Sequence, residues 1–178
     1  MIEEVLTFWF EENGPEQWWS SDPRFDATIR SQFGALHDRA VLGELYDWRD
    51  TPEGRLAEIV VLDQFSRNLY RDDPRAFAAD GMALAVAQEA VRIGADQAVP
   101  PVQRQFFYMP YQHSESRRIH RAAVPLFESL DVPGSLDFER RHKAIIDRFG
   151  RYPHRNRVLG RSSTPEEIAF LREPGSSF

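Results

Sequence analysis

The chain has 178 residues, of which 42% are hydrophobic and 28% charged, with a formal net charge of -6. That is ordinary globular usage at single-domain size, and it argues against disorder and against broad attraction to nucleic acid or anionic lipid. Cysteine is absent, which removes disulfides, thiolate nucleophiles and Cys-ligated zinc or iron–sulfur clusters. The start, Met1-Ile2-Glu3-Glu4-Val5, lacks the basic stretch of a secretory signal, and no apolar run approaches membrane-spanning length. A cytoplasmic location without membrane association is therefore expected.

Apolar residues recur at three- and four-residue spacing and no stretch alternates, which predicts helices throughout. Ile2 to Glu11 reads as a first short helix. Ser21-Asp22-Pro23 has the form of a cap followed by an early proline and opens a second, running towards Leu42 and stopped by Gly43. Thr51-Pro52 repeats that form and opens a long helix to about Tyr70; Asp73-Pro74 opens another that reaches Gly94, and these two are expected to pair as a hairpin. Pro100-Pro101 begins a segment to about Pro110, Ser114 to Leu130 follows, and Ser135 to Phe149 is the last long helix. Gly150, Pro153 and Gly160 mark residues 150 to 163 as a loop, before Thr164-Pro165-Glu166-Glu167 caps a short closing helix. The predicted fold is all-α: antiparallel helical hairpins in a TPR-like array or an irregular bundle, with no detectable repeat of about 34 residues. One domain spans 1–172, and 173–178 is expected to be a disordered tail.

The stretch Leu56 to Arg71 is apolar on several sides, as in a buried helix. Asp63 and Arg67 lie on one of its faces, four residues apart and suited to an ion pair, while Gln64, Asn68 and Arg71 form an adjoining stripe of donors and acceptors. Pro110 is expected to end or kink the next segment and to leave His113 near a junction beside Ser114, a candidate N-cap, and Glu115. His113-x-Glu115 lacks adjacent-turn ligand spacing, so no metal is expected, and no other cofactor is indicated. His120 is assigned to the surface. Arg148, Arg151, Arg155, Arg157 and Arg161 fall in one stretch without an acid, together with His154 and Asn156. Guanidinium forks match carboxylate and phosphate bidentately. The same arginines could equally pair with the chain's own acids, among them Asp63, Glu115 and Asp147. No phosphate-binding glycine loop, nucleophile elbow or zincin pair is present. If chemistry occurs, His113, Glu115, His142 and His154 are the candidate proton-transfer groups.

Leu62-Asp63-Gln64-Phe65-Ser66-Arg67-Asn68, His113-Ser114-Glu115, and Phe149-Gly150-Arg151-Tyr152-Pro153-His154-Arg155-Asn156 through Leu159-Gly160-Arg161 and Ser163-Thr164 resemble a known family. Together with Phe8-Trp9-Phe10 they span nearly the whole chain. The family is the mostly bacterial "domain of unknown function 924". The resemblance implies a TPR-like α-helical fold and brings no established activity. The chain departs from the pattern at Ser66, where the family usually has Pro, and at His120, where Gln is common.

The residues together predict a pocket for a small anionic ligand, phosphorylated or carboxylated, lined by Asp63, Gln64, Arg67, Asn68, Arg71, His113, Glu115, Arg151, His154, Arg155, Asn156 and Arg161. A catalytic role and a purely binding role both stay open. The alternative is a TPR-like scaffold whose groove takes an acidic peptide. Nucleic acid is the least favoured partner, because few aromatics interleave the arginines, and nothing in the sequence sets an oligomeric state.

Overall fold

The computed structural model describes residues 1–177 and is all-α, with no strand among the described residues. Helix α1 (Ile2–Thr7) widens into a π-helical turn over Phe8–Glu12, and the short α2 (Pro15–Trp18) follows. Asp22 caps α3 (Pro23–Val41), its carboxylate accepting from the Arg24 N–H at 2.8 Å. Thr51 caps α4 (Pro52–Ile59) by accepting from the Gly54 N–H at 3.1 Å. The chain then passes without a break through a π-helical stretch, Val60–Phe65, into α5 (Ser66–Leu69). A short α6 (Arg75–Ala78) precedes α7 (Asp80–Arg92), and the series closes with α8 (Pro101–Gln112), α9 (Arg117–Glu128), α10 (Ser135–Phe149) and α11 (Pro165–Phe170).

Helices α7 to α10 each pack on the next in order. Helix α4 lies against α7 and α8, while α3 covers the π stretch and α5. The shared core is aromatic: Phe8, Trp9, Phe25, Phe33, Phe65 and Phe106 are all buried and meet in stacked, tilted and edge-on pairs. Such pairs add about 0.5–1.5 kcal/mol each beyond the area they bury. A smaller cluster of Ile145, Ile146, Tyr152 and Phe170 sits under the loop that follows α10.

Four local expectations differ. The helix expected from Ser114 begins at Arg117, with Ser116 and not Ser114 at its N-cap position. The segment expected to run from Asp73-Pro74 to Gly94 breaks at Ala79 into α6 and α7. Pro110 does not end its helix, which continues to Gln112 with the proline ring buried in the core. His120 is not on the surface but fully buried: Nδ1 meets Glu139 Oε1 at 2.8 Å and Nε2 meets the Ser114 carbonyl at 2.9 Å. A wheel of polar residues on α9 gave no sign that its partner would come from α10.

Two glycines are required by geometry. At Gly54 a Cβ would lie 2.0 Å from the Trp48 carbonyl oxygen, so α4 can approach the turn of residues 46–50 only without a side chain there. Gly150 ends α10 with φ of +72°, a left-handed conformation that turns the chain into the arginine-bearing loop. In the tail, the Glu173 N–H donates to the Phe170 carbonyl at 2.9 Å and Ser176 Oγ to that of Leu171 at 3.2 Å; Phe178, the end of the segment expected to be disordered, lies outside the described residues.

Candidate functional site

The π stretch is where the site begins. Each extra residue per turn changes the phase of the helix, and such bulges recur at functional sites. Here residues two apart in sequence enter different surroundings. Phe65 enters the aromatic core, while Asp63, 1% exposed, turns towards α8 and α7.

Asp63 Oδ1 receives His113 Nδ1 at 2.7 Å and lies 3.3 Å from Arg67 Nη1, and Oδ2 accepts from the Gln64 amide at 2.5 Å. Arg67 also reaches back to the Asp63 carbonyl at 2.7 Å. It then grips both oxygens of Asp80, at the start of α7, at 3.0 and 3.1 Å. Arg155, from the loop after α10, adds a third contact to Asp80 at 3.2 Å and donates to the His113 carbonyl at 3.0 Å. Its guanidinium lies between two rings, 4.4 Å from the centre of Phe77 and 4.7 Å from that of Tyr152. Arg155 is 6% exposed, and its Nε is buried with no hydrogen-bond partner among the described residues.

Burial by itself would raise the Asp63 carboxyl, but the charges of Arg67 and His113, with the hydrogen bonds from His113 and Gln64, hold it well below the usual carboxylate range. Burial and then the charge of Arg67 lower the His113 imidazole, against the pull of Asp63. An ionised Asp63 can only accept, so His113 Nδ1 carries the proton and, in the neutral ring, Nε2 carries the lone pair. Asp63, Asp80, Arg67 and Arg155 together are charge-neutral.

His113, Ser114, Glu115, Asp80 and Arg155 line one cavity of about 330 Å³, with Phe77 and Leu84 among its apolar walls. Glu115 is half-buried. Arg161 takes its two oxygens at 2.6 and 2.9 Å, and the Tyr152 N–H donates to it at 2.7 Å. Against the cost of burial, these contacts lower its carboxyl below the ordinary value. Arg161 continues to Asn156 Oδ1 at 2.9 Å. The Asn156 amide leads to Ser163 and Glu167, and Arg151 closes the branch on Glu167 at 2.7 and 2.8 Å.

The structure thus draws Asp63, Gln64, Arg67, His113 and Arg155 into one network, with Glu115, Arg161, Asn156 and Arg151 forming a branch behind it. His154 packs on Tyr152, with ring centres 5.5 Å apart. His142 bonds through Nδ1 to the Phe138 carbonyl at 2.8 Å on α10 and meets Tyr152 edge-on, with ring centres 5.8 Å apart. Asn68 and Arg71 go elsewhere: both bind Asp26 on α3. Of the three acids named as partners for the five arginines of the 148–161 stretch, Glu115 meets one, Arg161, whereas Asp63 pairs with Arg67 on its own helix and Asp147 with Lys143. Asp80 and Phe77 were not foreseen. Asp80 lies 75 residues from Arg155, and its only sequence signal is an acid in the first turn of a helix, an ordinary complement to the helix dipole. Among the described residues no group of three His, Asp or Glu could hold a metal ion, and no helix is long and apolar enough to cross a membrane.

Comparison with known proteins matches residues 5–175 to the model of a family described as bacterial protein of unknown function, DUF924. A solved structure of a protein of unknown function, ATU0120 from Agrobacterium tumefaciens, is similar at 37% sequence identity and a TM-score of 0.92, with 96% of each chain covered. No curated protein matches the chain.

Proposed function

Because the chain belongs to the DUF924 family of bacterial proteins, its role must be argued from its own side chains, and we propose that it binds a small carboxylated or phosphorylated metabolite and moves a proton on it through His113. The observation that carries this reading is the Asp63–His113 pair beside Arg155 at one cavity. A buried, ionised carboxylate fixes the imidazole tautomer and leaves the opposite nitrogen as a base, on a ring that lines the cavity. A lowered imidazole is neutral at pH 7 and ready to accept. The Arg155 Nε–H is a buried donor with its bond unmade, and a ligand oxygen would satisfy it. Because the charged set is neutral as a whole, recognition rests on directional hydrogen bonds more than on net attraction. The cavity volume falls within the usual range for small-molecule sites, which favours a metabolite over a peptide segment.

A thermal-shift screen of phosphorylated and carboxylated metabolites tests it. A ligand at about 100 times its dissociation constant adds roughly 2.7 kcal/mol to the folded state and raises the melting point by several degrees. His113→Asn keeps a donor towards Asp63 and removes the base, so the variant is expected to retain the shift and lose turnover of the compound found. Arg155→Gln is expected to lose the shift. If no such compound stabilises the wild-type chain, or if Arg155→Gln responds as the wild type does, the reading fails and the cluster is a structural network.

A further inference from the structure

A second cavity, of about 480 Å³, opens between α3 and the α6–α7 segment, away from Asp63 and His113. His37, Tyr70, Ala79 and Met82 line it, and Ala78 borders both this cavity and the first. Its charged residues, Asp38 and Arg75, are exposed. Arg75 is moreover engaged by Asp73 at 2.9 Å and stacked over the Tyr70 ring at 4.3 Å. The walls offer apolar surface and a flat ring.

Among the described residues that line this space, the one buried polar side chain is His37, 3% exposed. Its Nε2 lies 2.7 Å from Ser66 Oγ. The Ser66 hydroxyl hydrogen is already committed to the Leu62 carbonyl at 2.6 Å, so Ser66 can only accept from the imidazole. His37 Nε2 therefore carries the proton. Nδ1 is left as a lone-pair acceptor, and it is buried without a partner among the described residues. Burial lowers the imidazole against the opposing charge of Asp38, which keeps the ring neutral. A buried acceptor with its bond unmade costs about 1–3 kcal/mol, and native proteins seldom leave one without a purpose.

We propose that this cavity is a binding site for a neutral, flat, largely apolar molecule carrying one N–H or O–H group, which donates to His37 Nδ1. Tyr70, one face of its ring covered by Arg75, borders the guest, and Met82, unbranched and adaptable, is the wall that yields to admit it. The site is independent of the reading given above for the His113 cavity. It shares only the Ala78 wall with it.

The test uses two bicyclic probes of nearly equal shape, indole, which has an N–H donor, and benzofuran, which has none, titrated into the whole protein by calorimetry. Indole is expected to bind saturably and roughly tenfold more tightly than benzofuran, the ratio that corresponds to about 1.4 kcal/mol for one hydrogen bond. Met82→Phe fills the cavity and is expected to lose both. Nitrogen NMR of labelled histidine is expected to show the His37 Nδ1 resonance moving with indole and not with benzofuran. Equal affinities for the two probes, absence of saturable indole binding, or an unmoved Nδ1 resonance would overturn the proposal. Each of these is read on the wild-type chain, so the outcome stands even if the filled variant fails to fold.

Discussion

Two residues of the π stretch, Phe65 at its close and Asp63 two positions before it, lead to two ends of contrasting construction. At one end Phe65 joins Phe8, Trp9 and Phe33 in a dry aromatic cluster whose members tolerate one another in several ring geometries. At the other, Asp63 enters a network in which every carboxylate is shared among donors with fixed directions. Aromatic contacts are numerous and individually weak, so the first end is held by their sum. The second is held by a few contacts that each depend on a partner, and losing one strands a buried charge. The lesson is that one helix can stabilise a fold with its aromatic residue and specialise it with an acid two positions earlier.

The largest effect is expected at the aromatic end. Trp9→Ala empties a site 1% exposed and should cost about 4 kcal/mol, the order found for large aromatic truncations, read as a lowered urea midpoint. A loss near that of a surface change would show that the aromatic cluster is not what holds the helices together. Asp63→Asn comes next, at about 3 kcal/mol, because it removes the buried charge that partners Arg67 and sets an NH2 group against the Gln64 amide donor in place of an accepting oxygen. An unchanged midpoint would place the network on the surface energetically, whatever its burial.

The smallest change per site sharpens the contrast through pH. His142 is pushed down to about 3, mainly by burial, and His154 to about 4, by burial and the charge of Arg155, from an ordinary value of 6.5. As pH falls below 6.5 the unfolded chain takes up these protons first. The stability that is present above 6.5 is therefore lost as pH drops towards 4 and then 3. The lowered Asp63 carboxyl acts in the same direction below its ordinary value of 3.8. Urea midpoints measured from pH 7 to pH 4 should fall, and His142→Phe should reduce that slope by the equivalent of about one proton. A flat profile in the wild type would mean that neither histidine is kept neutral by burial. Trp9→Ala should lower the whole curve without altering its slope.

Particular residues show what could be read in advance. The helix starts at Asp22-Pro23, Thr51-Pro52 and Thr164-Pro165 were legible, because a cap and an early proline act within three residues. The pairing of Asp63 with Arg67 was legible for the same reason, as a four-residue spacing on one helix. The burial of His120 was not, since its carboxylate partner stands 19 positions away on another helix. Nor was the departure of Asn68 and Arg71 to Asp26, which depends on where α3 lies.

The sequence alone determined that this chain is an all-α protein with a polar stretch set into a helix apolar on several sides, because periodicity, caps and composition are local properties of the chain. Tertiary structure decided the rest. It made Asp80 the hub that joins Arg67 to Arg155, set Phe77 beneath the guanidinium, and left single buried polar atoms of Arg155 and His37 unpartnered beside cavities. Those features come from helices meeting at long sequence separation, where a hydrogen bond is made or missed by fractions of an ångström, and local pattern carries no record of such distances.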